Sequence, residues 1–485
     1  MSYHQNPEEA HLWEQIEGGS QREQAEAFGR LAELSVNREN FDNAVIYGER
    51  SASLFKGIND AFGEAEGLYQ QGRGYLGQKQ AKEAILKFDE AAEIFRANAN
   101  ELFLAASVSR KADALVILEQ QSLAAAAYEN AAVLYANCGN HSSAGETYLR
   151  CATALIDARE FAAAELKADQ ARLSFIEADE LQGVARSLHL RSVALGFQHN
   201  LDAAVADIRE AIELAKYLEF EPFDAMCHLQ LASLLVACAD VAGATDALAV
   251  ARKQANEVKD YATLAQCDLH EAYLYFNLDA FDRARAHATT ARAAFNAQND
   301  KVSVFETDVL MGRILLGMDQ PLESIEVLEK AIAFANQHQV TIYEERCYIA
   351  LADALLRVQN ASYALETLEK IQFPGELAEN MAFLARTLRA RALIYLERHQ
   401  EAQELAEQII SETSQMAPNF FAGIDAQETI ARSLIMQGNL DLALPALQLA
   451  IVRHSAHGSD EVATELSRRW LELTQSKVEP SQPEN

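Results

Sequence analysis

A repeat with a period of 40 residues constrains the fold of this chain more than any other feature of its sequence. A small residue recurs once in every repeat, and a larger residue, mostly leucine or tyrosine, follows three positions later. The small residues are Ala32, Gly72, Ala112, Ala152, Ser192, Ala232, Ala272, Gly312, Ala352, Ala390 and Ala431. Because positions three residues apart lie on one side of an α-helix, these columns predict one helix per repeat, which we call helix A.

A second helix, helix B, is predicted in the other half of each repeat. Another small residue follows each helix A residue after 12 positions, beginning with Ala44 and Ala84, and a further small or apolar residue follows seven positions after that. A spacing of seven returns to the same helix face after two turns. Glycine (21) and proline (8) are scarce in the 485 residues, so little interrupts the helices. Since neither helix can bury its apolar face alone, each hairpin must pack on its neighbours.

The pattern of small and large residues resembles the tetratricopeptide repeat (TPR). The resemblance covers about residues 25–455, although the family's usual unit has about 34 residues and its proline after helix B is missing here. It implies an all-α, right-handed superhelical solenoid of about eleven antiparallel helix hairpins with terminal capping helices. The lengthened units resemble those of bacterial TPR regulators and of soluble NSF attachment proteins.

Four segments are predicted along the chain. The segments are an N-terminal cap (residues 1–20), the TPR-like solenoid (21–459), a C-terminal capping helix (460–477) and a disordered tail (478–485). The period changes to 38 and then 41 residues in the last repeats, and Pro374-Gly375 predicts an early end of one helix B. We therefore expect the solenoid to be irregular near residues 371–420. We interpret this seam as a tolerated irregularity, and a functional hinge is the alternative.

The charge of the chain limits the partners that it can bind. Lys+Arg 41 against Asp+Glu 72 gives a net charge of −31, which repels nucleic acids and anionic membranes. No stretch approaches the roughly 20 apolar residues of a membrane span. We therefore expect a cytoplasmic protein with a protein or peptide partner, no nucleic acid and no membrane insertion. The oligomeric state stays open.

No motif of an enzyme or of a cofactor site fits its sequence context. Residues 72–77, GRGYLG, match the GxGxxG string of dinucleotide-binding proteins, but they lie inside a predicted helix A rather than between a strand and a helix. His270-Glu271 lacks the second histidine of a zinc hydrolase motif. We therefore expect no enzymatic activity, no cofactor and no metal.

Helix A lines the concave face in the family that the chain resembles, and this face is the predicted binding surface. We expect a partner segment to contact residues beside the small column and arginines on the same face. The predicted site residues are Arg73, Arg110, Arg150, Arg186, Tyr273, Arg313, Arg346, Asp353, Arg391 and Arg432. In an acidic chain, arginines on one face predict a groove for an acidic peptide, because a guanidinium binds a carboxylate with two hydrogen bonds. The alternative is that these arginines neutralise nearby glutamates such as Glu66, Glu146 and Glu306.

The function predicted from these observations is that of a non-catalytic scaffold or adaptor that binds a partner segment in the concave groove. Two alternatives remain at this point: a peptide-responsive regulatory sensor with the Pro374-Gly375 seam as its pivot, and a vesicle-fusion-type attachment adaptor. The central repeats carry apolar residues such as Val193, Leu229 and Leu269 on helix A, which predicts binding of an apolar helix or extended segment there.

Overall fold

The computed structural model describes residues 7–238, 240–338, 340, 344–371, 379–413, 421–457 and 460–478. Within these residues the chain forms 24 α-helices. The helices belong to two compact units that divide after Cys238. The prediction of an all-α fold is confirmed. No helix in the described part of the chain is long and apolar enough to cross a membrane.

The first unit has a strictly regular helix spacing. Its helices are α1 (Pro7–Gly18), α2 (Gln21–Asn37), α3 (Phe41–Gly57), α4 (Ala61–Gly77), α5 (Ala81–Ala97), α6 (Glu101–Ile117), α7 (Gln121–Asn137), α8 (His141–Asp157), α9 (Phe161–Glu177), α10 (Leu181–Phe197), α11 (Leu201–Tyr217) and α12 (Glu221–Ala237). From α2 onward each helix has 17 residues and begins 20 residues after the previous one. The 40-residue period is therefore two helices of equal length and two turns.

The second unit begins with the same spacing and loses it near its end. Its helices are α13 (Val241–Val258), α14 (Tyr261–Asn277), α15 (Phe281–Ala297), α16 (Lys301–Gly317), α17 (Pro321–His338), α18 (Glu344–Arg357), α19 (Ala361–Glu369), α20 (Glu379–Tyr395), α21 (His399–Thr413), α22 (Phe421–Met436), α23 (Leu440–His457) and α24 (Asp460–Val478). Helix α19 has only nine residues. Pro374-Gly375 lies outside the described residues, so the hinge hypothesis stays a prediction.

The even-numbered helices α2 to α22 are the predicted helices A, and the odd-numbered helices α3 to α23 are the predicted helices B. In each unit, consecutive helices pack side by side as antiparallel hairpins. Both small columns are buried, and their first members, Ala32 and Ala44, have no exposed surface. The predicted role of these columns at the contact between helices is confirmed.

The small residues of helix A are required because helix B places a large side chain against them. A Cβ atom added to Gly72 would lie 2.7 Å from the ring of Phe88, and one added to Gly312 would lie 2.5 Å from Leu328. Both distances are too short for carbon atoms that do not move apart. Glycine at these two positions therefore leaves room for the facing phenylalanine and leucine.

The GxGxxG string of residues 72–77 has a packing role of the same kind. It lies inside α4, and all three glycines face large neighbours. A Cβ atom at Gly74 would lie 2.8 Å from Val45, and one at Gly77 would lie 2.2 Å from the ring of Phe41. The glycines thus allow α3 to approach α4 closely.

Three residues connect most helices, and their backbone reverses the chain by one repeated motif. In the first turn, the Asn40 amide donates to the carbonyl of Ser35 (2.8 Å) and the Glu39 amide donates to Val36 (3.0 Å). Glu39 has a φ of 60°, in the left-handed region, which is the signature of a Schellman motif. The side chain of Asn40 then accepts from the Asn43 amide and starts the next helix.

The ends of the described chain carry the two tryptophans. Trp13 of α1 packs edge-to-face against Tyr47, with 6.0 Å between the ring centroids. Trp470 of α24 packs beside Leu447 and Leu466. Val478 is the last residue of α24, and residues 479–485 of the predicted tail lie outside the described part of the chain.

Candidate functional site

Two predicted site residues of the first unit, Arg110 and Arg150, are joined by ion pairs with Asp113. Arg110 and Asp113 both lie on α6, and the Arg110 guanidinium donates to the Asp113 carboxylate at 2.9 Å. The guanidinium of Arg150, on α8, donates to the same carboxylate at 3.0 Å. The Tyr128 hydroxyl of α7 donates to the same carboxylate at 2.5 Å. Burial raises the pKa of Tyr128, and Asp113 raises it further, so the phenol remains a proton donor. Asp113 therefore forms ion pairs with two arginines of successive repeats.

Glu146 extends these ion pairs to the next repeat. It accepts hydrogen bonds from both terminal nitrogens of Arg186, at 2.9 and 3.3 Å, and lies 3.8 Å from Arg150. Arg73 donates to the amide oxygen of Gln70 at 3.0 Å. Arg110, Arg150 and Arg186 therefore have carboxylate partners within the chain, whereas the acceptor of Arg73 is an uncharged amide.

The second unit groups Tyr273, Phe276, Glu306, Arg313 and Arg346, which we call the Arg313 cluster. The Tyr273 hydroxyl of α14 donates to Glu306 of α16 at 3.1 Å. The guanidinium of Arg313 lies over the ring of Phe276, with its central carbon 4.7 Å from the ring centroid. No carboxylate of the described residues forms an ion pair with Arg313. The cluster therefore contains two guanidinium groups and one carboxylate.

The surroundings of the Arg313 cluster disfavour the charged forms of Arg313 and Glu306. Burial lowers the pKa of Arg313, and the nearby positive charge of Arg346 lowers it further, whereas Tyr273 opposes the shift. Burial also raises the pKa of Glu306, although Tyr273 and Arg346 act in the other direction. Arginine stays protonated at neutral pH, so Arg313 keeps a positive charge that its surroundings disfavour.

The remaining site residues and the predicted glutamates have different surroundings. Asp353 lies 3.4 Å from Arg357 and 3.8 Å from Arg391. Arg432 forms an ion pair with Glu428. Glu66 forms no ion pair with an arginine of the described residues. Its burial and the charges of Asp60 and Glu33 raise its pKa instead.

An apolar groove lies on α8, α10 and α12. The groove itself was not predicted, but Arg186 at its edge is one of the predicted site residues. The groove has a volume of about 450 Å³ and is lined by Leu149, Thr153, Arg186, His189, Leu190, Phe220, Phe223 and Met226. His189 packs edge-to-face on Phe223 with 5.8 Å between the centroids. Burial lowers the pKa of His189 to about 4, so its ring is uncharged at neutral pH. The groove is therefore an uncharged surface beside an arginine that already has a counter-ion.

Two of the apolar residues expected to bind a partner belong to the core instead. Leu229 and Leu269 are 8% and 2% exposed. Each lies three residues before a small residue of helix A, so it shares the buried face of that helix. The signal that could have revealed the groove is the pair of aromatic residues, Phe220 and Phe223, at the start of α12.

A group of possible metal ligands in the second unit is already neutralised by an arginine. Asp268, Glu271 and His287 bring three ligand atoms within 4.8 Å of one another. Arg252 donates to Asp268 at 2.8 Å and to Glu271 at 2.7 Å. A cation would have to displace this guanidinium, so the group is best described as an ion-pair network between α13, α14 and α15.

Comparisons with known proteins found similarity of fold only. No protein-family model matches the chain, and no curated protein matches it. The STAND protein with a tetratricopeptide repeat sensor from Pyrococcus horikoshii has a TM-score of 0.49 and 14% identity, over 96% of this chain and 72% of that chain. Aspartyl phosphate phosphatase F from Bacillus subtilis has a TM-score of 0.48 and 11% identity, over 59% and 75%.

A third similar structure is that of a Rap protein complexed with Competence and Sporulation Factor. Its TM-score is 0.45 and its identity is 13%, over 71% of this chain and 99% of that chain. The similarities are weak, and the conclusion about the fold rests on the helix hairpins themselves. Their equal helices, three-residue turns and buried small columns make the chain a helical repeat protein that resembles tetratricopeptide repeat proteins.

Proposed function

We propose that the chain is a non-catalytic scaffold or adaptor that binds a segment of a partner protein on its helix A face. The apolar groove of the first unit is the observation that carries this proposal. It exposes Met226 and Thr153 over a floor formed by Phe223 and Leu149. Exposed apolar concavities of this kind are typical of binding sites rather than of ordinary surface.

The chemistry of the groove favours a segment with apolar side chains. At neutral pH His189 adds no charge, and Arg186 is held at the edge by Glu146, so an apolar group can enter without removing water from an unpaired ion. Helices and extended segments bind grooves through a few such side chains. The net charge of −31 favours a protein partner over a nucleic acid.

The groove favours a scaffold over the two alternative functions. For a peptide-responsive sensor, the suggested pivot is the Pro374-Gly375 seam, which lies outside the described residues. A vesicle-fusion-type adaptor was predicted from the length of the repeats alone. Only the scaffold proposal has a described surface that supports it.

A groove-filling substitution tests the proposal. Thr153→Trp places a bulky ring in the groove from an exposed position, and Ala126→Trp places the same ring on the exposed surface of α7 as a control. We expect affinity purification from extracts of the source cells to recover partners with the wild type and with Ala126→Trp but not with Thr153→Trp. Circular dichroism checks that both variants fold. Equal recovery with all three proteins would contradict the proposal.

A further inference from the structure

Arg313 forms no ion pair with a described carboxylate, in a chain with a net charge of −31. We propose that Arg313 binds the side-chain carboxylate of an aspartate or glutamate in a partner segment. This inference rests on the proposed function and names the chemistry of one contact. It places the acidic contact on α14, α16 and α18 of the second unit.

The local carboxylates are already engaged by other groups. Glu306 accepts the hydroxyl hydrogen of Tyr273, and it also lies close to Arg346. Asp353, one repeat after Arg313, is shared between Arg357 and Arg391. No carboxylate among these described neighbours is therefore free to pair with Arg313. Because a partly buried ion without a partner is unfavourable, a carboxylate from a partner segment gains more free energy here than at an exposed arginine.

The ring of Phe276 prepares the guanidinium for this contact. A guanidinium that lies over an aromatic ring is held by a cation–π interaction, and its N–H groups point outward in the plane of the group. Those N–H groups can donate two parallel hydrogen bonds to one carboxylate. A lysine would keep the charge at this position but would lose the paired geometry.

Selection of random peptides tests the inference without knowledge of the natural partner. A library displayed on phage is selected against the wild type, Arg313→Glu and Arg285→Glu. Arg285 is an exposed residue of α15 in the same unit, so Arg285→Glu makes the same change of charge away from helix A. We expect the wild type and Arg285→Glu to enrich peptides with a fixed aspartate or glutamate. Arg313→Glu should lose that preference and enrich lysine or arginine at the same position.

The outcomes separate the inference from the proposed function. Enrichment of peptides without any acidic preference would overturn the role of Arg313 and would leave segment binding intact. An acidic preference that survives in Arg313→Glu would also overturn it. If no peptide is enriched by the wild type, both the inference and the proposed function are contradicted. Thermal unfolding of the three proteins verifies that each is folded.

Discussion

Arg110 and Arg150 of the first unit differ from Arg313 of the second unit in their counter-ions. Arg110 and Arg150 share Asp113, whereas Arg313 lies over Phe276 with no carboxylate partner among the described residues. The same residue type on equivalent helices therefore has two roles. Arg110 and Arg150 join successive repeats through Asp113, whereas Arg313 forms no ion pair with a described carboxylate.

Loss of Asp113 is expected to have the largest effect on stability. Asp113→Ala leaves Arg110, Arg150 and the buried Tyr128 hydroxyl without their common acceptor. Removal of one member of a partly buried ionic network costs about 2–4 kcal/mol of the free energy of unfolding. Urea unfolding of the first unit measures this loss, with Trp13 as the fluorescent reporter in a Trp470→Phe background.

Asp353→Ala is the matched control for that substitution in the second unit. The nearest arginine nitrogens lie 3.4 and 3.8 Å from Asp353, so its ion pairs are weaker than those of Asp113. We expect a loss of about 1 kcal/mol or less, followed by Trp470 in a Trp13→Phe background. Equal losses for the two substitutions would remove the contrast between the units.

We expect both units to lose a similar amount of stability on acidification, because each contains a half-buried histidine with a lowered pKa. Burial lowers the pKa of His189 and of His270 from 6.5 to about 4. Because the unfolded chain binds a proton first, their contribution is complete above pH 6.5 and is lost as the pH falls towards 4. Each should contribute on the order of 1–2 kcal/mol.

Leucine is a suitable replacement for both histidines, because Leu149 and Leu190 occupy the equivalent positions one or two repeats earlier. We expect His189→Leu and His270→Leu to reduce the dependence of the urea midpoint on pH between 6.5 and 4. An unchanged pH dependence in both variants would show that folding does not lower the pKa of these imidazoles.

The smallest expected effect on stability concerns the arginines themselves. Arg150→Gln removes a partner of Asp113 and should cost about 1 kcal/mol. Arg313→Gln removes a charge that burial and Arg346 disfavour, so it should leave stability unchanged or raise it by up to about 1 kcal/mol. Urea midpoints of both variants give the sign of each change. A clear loss of stability for Arg313→Gln would mean that the guanidinium has an internal role.

The sequence predicted the helix hairpins because their contact positions admit only small residues. Gly72 and Gly312 take the place of alanine in the small column because Phe88 and Leu328 leave no room for a Cβ atom there. The turns were not predicted in detail. Their left-handed residues include Glu39, whereas glycine, the usual signal for this conformation, occurs in few of the described turns.

The candidate site was less predictable than the fold. The sequence placed Arg150 and Asp113 on helix A, but their separation of 37 residues does not show whether the side chains meet. Arg150 lies beside the carboxylate of Asp113, and Arg313 lies over the ring of Phe276. The sequence alone does not show which neighbour each arginine has. The groove also depends on side chains from three helices that are distant in the sequence.

A charge exchange between Arg313 and a bound peptide tests the central claim most directly. The peptide is the consensus selected by the wild type, compared with the same peptide carrying lysine in place of its acidic residue. Fluorescence anisotropy should show about tenfold to hundredfold weaker binding of the acidic peptide to Arg313→Glu, and the lysine peptide should recover much of that loss. Equal affinity of the wild type and Arg313→Glu for the acidic peptide would contradict the account.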